Sequence, residues 1–158
     1  MNKNILFLIK FSIIFIILTT LIELIDLSFV QNFIAQICAN FSGLTFSGIN
    51  IFLSNGSFVI TKFCTGFLSM AILASIIFSL SKPQIEKKIK IFLIGAVALF
   101  LLNVVRIIFV LEIGKNFGVR AAEFFHIISW FSTAALIIIA WYYFTKKITK
   151  IENFSELL

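Results

Sequence analysis

The sequence has few charged residues, a single proline and a single histidine among its 158 residues. Charged residues make up 13% of the chain and hydrophobic residues 61%, so it lacks the polar surface that a soluble domain of this size needs. The long apolar runs also lack the alternation of a membrane β-barrel. Backbone groups in lipid must pair within the chain. We therefore predict an all-α integral membrane helical bundle.

The formal charge of +6 does not indicate a nucleic-acid partner. The basic residues cluster in short stretches between apolar runs, which is typical of membrane topology rather than of nucleic-acid binding. The two cysteines, Cys38 and Cys64, have neither the number nor the spacing of a disulfide framework or a metal site. Each cysteine therefore needs its own interpretation.

Apolar runs of about 20 residues predict about four membrane-spanning helices in a single domain that covers residues 1–158. The predicted spans are residues 5–25, 64–80, 91–111 and 124–144. The first run resembles a signal peptide, but no small-residue cleavage site follows it, so we expect a retained helix.

A more polar segment, residues 27–63, separates the first two spans. Residues 30–41 have the apolar spacing of a helix, for which we expect an interfacial position. Two short apolar stretches flank residues 54–57, and the Asn-Gly step within them favours a small β-hairpin. The positive-inside rule then places both termini and the loop 82–90 in the cytoplasm, with residues 27–63 and the link 112–123 outside.

Three reactive or charged side chains fall in one outer layer of this arrangement: Cys64, Arg106 and His126. Arg106 lies inside an apolar run, where a guanidinium costs about 2.5 to 3.5 kcal/mol to insert. Asn103 lies one helical turn before it, so the two form one polar patch. Cysteine beside histidine is how a thiol becomes a nucleophile. Lys62 and the Thr65-Gly66 step at a predicted helix start also favour the thiolate.

Each of these residues also has a structural interpretation. Cys64 has the character of a small buried apolar residue. Arg106 is able to reach outward to the interface or to pair with Glu23 or Asp26 on the first helix. His126, as an interfacial imidazole, is able to bond a loop carbonyl. All three residues are predicted to lie at the same depth in the membrane, and this favours the catalytic interpretation.

The stretch Phe63-Cys64-Thr65-Gly66-Phe67-Leu68-Ser69, the later Asn103-x-x-Arg106 and then His126 resemble the exosortase/archaeosortase family of membrane cysteine transpeptidases. The resemblance covers residues 48–135. It implies catalytic Cys64, Arg106 and His126, with Asn103, Thr65 and Gly66 in support, and neither a metal nor an organic cofactor. The chain is shorter than many family members and has Thr65 where they commonly have serine or alanine.

The resemblance also implies the partners and the location of the protein. The substrates would be exported proteins whose carboxyl-terminal sorting signal has a short motif, a hydrophobic helix and a basic tail. The chain would cut this signal at the outer face of a prokaryotic cytoplasmic membrane, among membrane lipids, and transfer the product to an acceptor. Two alternatives stay open: a membrane protease that hydrolyses only, and a non-enzymatic scaffold or accessory subunit.

Overall fold

The computed structural model describes residues 3–150, which form a helical bundle with one small antiparallel sheet. The helices are α1 (Lys3–Leu24), α2 (Ser28–Ser42), α3 (Phe67–Ser79), α4 (Ile85–Phe117) and α5 (Val119–Thr149). The strands are β1 (Phe46–Ser47), β2 (Asn50–Leu53) and β3 (Gly56–Val59), and a 3₁₀ turn, Lys62–Thr65, precedes α3. The predicted helical membrane bundle is confirmed.

Within residues 3–150, three helices are long and apolar enough to cross a membrane: α1, α4 and α5. The predicted second span, residues 64–80, is shorter than expected. Gly66 has a φ of +83° and separates the 3₁₀ turn from α3, which keeps 13 residues. At about 1.5 Å per residue α3 measures about 20 Å, less than the hydrocarbon core of about 30 Å. Among the described residues, three apolar helices are therefore long enough to cross the core, and a fourth apolar helix, α3, is shorter.

The predicted polar link, residues 112–123, is helical almost throughout. α4 has 33 residues and α5 has 31, and only Gly118, with a φ of +89°, separates them. The sequence suggests a loop because it places a glycine, a lysine and an asparagine together there. Gly114 instead serves close packing within α4: a Cβ atom on it would lie 2.8 Å from Leu53 Cδ1 and 2.9 Å from Ala122 Cβ. The spans predicted at 91–111 and 124–144 therefore extend towards each other.

Residues 27–63 contain the predicted helix and hairpin, and the structure adds a third strand, β1. The sheet order is β1-β2-β3, with Ile51 opposite Phe58 and Leu53 opposite Gly56. Ile51, Leu53 and Phe58 are buried, which follows from the two-residue period of side chains along a strand. The apolar face of the sheet therefore packs inward.

The turn between β2 and β3 packs against the junction of α4 and α5. The Asn55 Oδ1 atom accepts a hydrogen bond of 2.9 Å from the backbone N–H of Val119. Asparagine oxygens commonly satisfy the free N–H groups at a helix start. Gly118 approaches so closely that a Cβ atom there would overlap the side-chain amide of Asn55. The sheet thereby fixes the point where α5 begins.

Two clusters of buried apolar side chains form the interior. The first joins α2, the sheet, Cys64 and the last turns of α4, with Ile34, Ile51 and Ile107 fully buried. The second joins α3, α4 and α5 around Leu73 and Ile77. Cys64 belongs to the first cluster, at the side of the bundle where the sheet packs. The sheet and α2 therefore enclose the region of Cys64.

Candidate active site

Cys64 lies in the 3₁₀ turn, three residues before the first residue of α3. The sequence predicts that Cys64 is the first residue of the second helix. This prediction is wrong, because Cys64 lies in the separate 3₁₀ turn that precedes α3. The Cys64 N–H donates to the Thr61 carbonyl at 2.9 Å, and the Thr65 hydroxyl donates to the Lys62 carbonyl at 2.6 Å. Thr65 Oγ1 also accepts from the Phe67 N–H at 3.4 Å. Thr65 thus joins the turn to α3.

The structure brings Cys64 and His126 together. The Cys64 sulfur lies 3.6 Å from His126 Nε2, and it lies 3.4 Å from the hydroxyl of Thr61. Cys64 is only 2% exposed. His126 comes from the second turn of α5, and the capped start of that helix sets its position. The arrangement is a thiol and an imidazole within reach of proton exchange.

Aromatic side chains surround the imidazole of His126. Phe58 from β3 meets it edge to face at 5.4 Å between ring centroids, and Trp130 from α5 does so at 6.2 Å. Phe63 in turn contacts Trp130 at 6.1 Å. Within residues 3–150 the buried His126 Nδ1 atom has no hydrogen-bond partner. Ring packing rather than a carboxylate therefore orients this histidine.

Arg106 is connected to Cys64 through Asn103. Arg106 Nη2 donates to Asn103 Oδ1 at 3.0 Å, and Asn103 Nδ2 donates to the Cys64 carbonyl at 2.7 Å. Among the described residues no direct hydrogen bond joins Arg106 to Cys64 or His126. Asn103 thus holds both the backbone of the cysteine turn and the guanidinium.

Arg106 does not form the alternative pair with acidic residues at the end of α1. In the part of the chain that the structure describes, it makes no ion pair with Glu23 or Asp26. The Asp26 carboxylate accepts from the Ser28 N–H at 2.9 Å, and the hydrogen bonds from Ser28 lower the pKa of Asp26. Asn103 is therefore the residue whose hydrogen bond positions Arg106.

Gly66 allows Asn103 to approach the cysteine turn. A Cβ atom on Gly66 would lie 3.3 Å from both Asn103 Cγ and Asn103 Nδ2, and the left-handed backbone at φ +83° favours glycine. Both features of this position exclude larger residues. Gly66 therefore supports the geometry of the site in two ways: it leaves room for the Asn103 side chain, and it adopts the left-handed backbone conformation that ends the turn.

Two cavities meet at Arg106. The larger, of about 480 Å³, lies between α4 and α5, and Ser129, Ser132 and Thr133 contribute hydroxyl groups to an otherwise mostly apolar wall. The smaller, of about 160 Å³, lies between the 3₁₀ turn, α3 and α5 and includes Phe63 and Trp130. Arg106 therefore faces space on two sides, where a bound molecule would meet its guanidinium.

Lys62 and Cys38 have structural surroundings. The Lys62 ammonium donates to the carbonyls of Glu23 at 2.7 Å and Ile25 at 2.9 Å, so it caps the end of α1 instead of facing the Cys64 sulfur. Cys38 is fully buried in α2, and burial raises the pKa of its thiol to about 12. Cys38 therefore lies in the apolar core, whereas Cys64 lies beside His126.

Three residues beside the site do not emerge from the sequence patterns: Thr61, Phe58 and Trp130. Thr61 lies three positions before Cys64, a spacing that a 3₁₀ turn brings into contact, but the sequence predicts an α-helix there. Phe58 and Trp130 belong to apolar runs rich in aromatic residues.

No group of three His, Cys, Asp or Glu side chains within residues 3–150 has the arrangement of a metal site.

The fold and the site define a class: multi-pass helical membrane proteins with a buried cysteine beside a histidine. The family model for transmembrane exosortases matches residues 2–142, and the chain belongs to this family. Exosortases are generally cysteine peptidases or transpeptidases, so this membership supports a membrane protease or transpeptidase role. No curated protein and no solved structure matches the chain.

Proposed function

We propose that the chain is a cysteine transpeptidase that cuts the carboxyl-terminal sorting signal of exported proteins and transfers the product to an acceptor. The observation that carries this proposal is the 3.6 Å approach of the Cys64 sulfur to His126 Nε2. A buried thiol beside an imidazole is the arrangement that activates sulfur as a nucleophile. The substrates are proteins that end in a short motif, a hydrophobic helix and a basic tail.

The reaction has two acyl transfers. His126 Nε2 takes the proton of the Cys64 thiol, and the sulfur attacks the scissile carbonyl carbon. The C–N bond breaks as His126 returns the proton to the leaving amine, which leaves a thioester on Cys64. An incoming amine then attacks the thioester and loses a proton to His126, and that proton restores the thiol. Water in place of the amine gives hydrolysis.

Arg106 stabilises the negative charge that develops on the carbonyl oxygen in each transfer. Its guanidinium stays charged at any accessible pH, and a mostly apolar cavity strengthens its field. Asn103 accepts from the Arg106 guanidinium at 3.0 Å and donates to the Cys64 carbonyl at 2.7 Å. It therefore fixes the position of the guanidinium relative to the Cys64 residue. Thr65 and Gly66 act on the shape of the turn.

The reaction takes place at the outer face of a prokaryotic cytoplasmic membrane, with both termini in the cytoplasm. Support for this orientation comes from the lysine-rich stretch around Lys87 and from Lys146 and Lys147 near the end of α5. Gly118 and the small sheet lie at the other end of the α4–α5 pair, beside Cys64. A sorting signal already exported through the membrane would meet the site from that side.

Co-expression with an exported protein that carries such a carboxyl-terminal signal, encoded in the same genome, tests the proposal. Cys64→Ala should abolish removal of the signal, and Cys38→Ala, the matched control, should process normally. His126→Ala should slow processing by roughly 10²- to 10⁴-fold, which is the usual contribution of general acid–base catalysis. Normal processing by Cys64→Ala at equal membrane levels would contradict the cysteine mechanism.

Two further measurements separate the alternatives. The mass of the processed protein distinguishes transfer, which adds the acceptor, from hydrolysis, which adds water. Alkylation of Cys64 in the Cys38→Ala background distinguishes an enzyme from a scaffold, since activation by His126 should make the rate fall in His126→Ala. Arg106→Lys keeps the charge without the planar fork, and a loss of about 10² to 10³ in rate would indicate directional hydrogen bonding.

A further inference from the structure

A second cavity between α4 and α5 lies far from Cys64, near the ends of these helices that are remote from Gly118. It has a volume of about 470 Å³, and its lining consists of Lys90, Ile94, Phe144, Lys147 and Ile148. Two basic side chains therefore face one cavity together with three apolar ones. Among residues 3–150, no acidic side chain belongs to this lining.

The two lysines lie at nearly the same depth. Lys90 is 28 residues before Gly118 and Lys147 is 29 residues after it. At 1.5 Å per residue they are roughly 42 Å and 44 Å from the junction along antiparallel helices. A membrane that contains the apolar parts of both helices therefore has the two ammonium groups at one interface, with Ile94 and Phe144 on its hydrocarbon side.

Within residues 3–150, no acidic side chain forms an ion pair with either lysine. The Lys147 ammonium lies 5.8 Å from the centroid of the Tyr143 ring, a cation–π contact that leaves its charge in place. Glu86 is one helical turn before Lys90, but it makes no ion pair with Lys90 in the described part of the chain. The cavity is thus positively charged at one end and apolar at the other.

We propose that this cavity binds one anionic phospholipid, with the phosphate of its headgroup between Lys90 and Lys147 and an acyl chain against Ile94 and Phe144. Basic cavities between membrane helices are suited to anionic headgroups, and each lysine near such a surface contributes about 1 kcal/mol. The apolar wall favours a lipid over a free phosphate ion. This site is independent of the proposed chemistry at Cys64.

Native mass spectrometry of the full chain in detergent, titrated with phosphatidylglycerol or with phosphatidylcholine, tests the proposal. The wild-type protein should bind one phosphatidylglycerol and should bind phosphatidylcholine more weakly. The double variant Lys90→Gln/Lys147→Gln should lose about 30-fold in affinity, which corresponds to about 2 kcal/mol at 1.4 kcal/mol per tenfold.

The matched control removes the same charge outside the cavity. Lys82→Gln/Lys87→Gln replaces two exposed lysines at the same end of the molecule and should bind phosphatidylglycerol as the wild type does. Ile94→Trp fills the cavity without changing the charge and should also weaken binding, so the result does not depend on one variant. Circular dichroism checks that each variant is folded.

Three results would overturn the proposal. Equal binding of the two lipids would remove the role of the headgroup charge. Equal losses in the two double variants would show a general effect of surface charge rather than a site. Binding of glycerol phosphate as tight as that of phosphatidylglycerol would assign the cavity to a soluble phosphate.

Discussion

Replacing Gly66 by alanine should destabilise the protein by more than the backbone conformation alone explains. A residue with a Cβ atom costs about 1–2 kcal/mol in the left-handed region that Gly66 occupies. The added methyl would also lie 3.3 Å from the Asn103 amide and displace it by a few tenths of an ångström. Asn103 Nδ2 then loses part of its 2.7 Å bond to the buried Cys64 carbonyl, and an unsatisfied buried group costs about 1–3 kcal/mol. We expect a total of about 2–5 kcal/mol.

Gly43→Ala is the matched control for this substitution. Gly43 ends α2 with a φ of +62°, and a Cβ atom there would meet nothing within 4 Å. It should therefore cost only the backbone term, about 1–2 kcal/mol. Unfolding of both variants in mixed micelles, titrated with a denaturing detergent, gives the comparison.

The close contact between Gly66 and Asn103 also predicts the behaviour of a double variant. Asn103→Ala removes the side chain that the new methyl would meet, so Gly66→Ala/Asn103→Ala should be less destabilised than the sum of the two single variants. Equal destabilisation by Gly66→Ala and Gly43→Ala, or strict additivity in the cycle with Asn103→Ala, would refute the reasoning. In that case backbone conformation alone would explain Gly66.

Cys38, Asn55 and the membrane topology can each be tested by substitution or labelling. Because burial raises the pKa of Cys38 to about 12, its thiol should resist iodoacetamide at pH 8 in the folded protein and react only after unfolding; rapid labelling in the native state would contradict this. Asn55→Ala should lower stability by about 1 kcal/mol through loss of the helix cap, whereas Asn55→Asp keeps the acceptor and should lower it less, as thermal unfolding will measure. A cysteine at exposed Ser54, in a variant without Cys38 and Cys64, should be labelled by a membrane-impermeant reagent in intact cells, and one at Lys87 should not; the reverse pattern would invert the topology.

The sequence predicts the helices better than their ends. Hydropathy identifies α1 and the central parts of α4 and α5, because lipid exposure imposes long apolar runs. It misplaces the junction, since Gly114 has the character of a loop residue when only its neighbours in sequence are known. Its actual role depends on Leu53, which is distant in sequence, and on Ala122, which comes close only because α5 folds back against α4. Tertiary contacts of this kind leave no local signal.

In the candidate site too, some features have a local sequence signal and others depend on tertiary contacts. The charge and reactivity of Cys64, Arg106 and His126 are visible in the sequence because such residues are rare in apolar runs. The 3₁₀ turn around Cys64 is not, since it depends on the left-handed Gly66 and on the Asn103 amide from α4. β1 is also missed because two residues are too few for a strand pattern.

A single residue, Gly118, joins α4 to α5, and this limits changes in the length of the segment between Val119 and His126. His126 lies seven positions after Val119, the first residue of α5, whose N–H is held by Asn55. An α-helix turns by about 100° per residue, so one residue inserted between Val119 and His126 would rotate the imidazole away from Cys64 by that angle. A flexible loop would absorb such an insertion, but a helix with a fixed start converts it into an angular error. Side chains in this interval are therefore freer to change than its length.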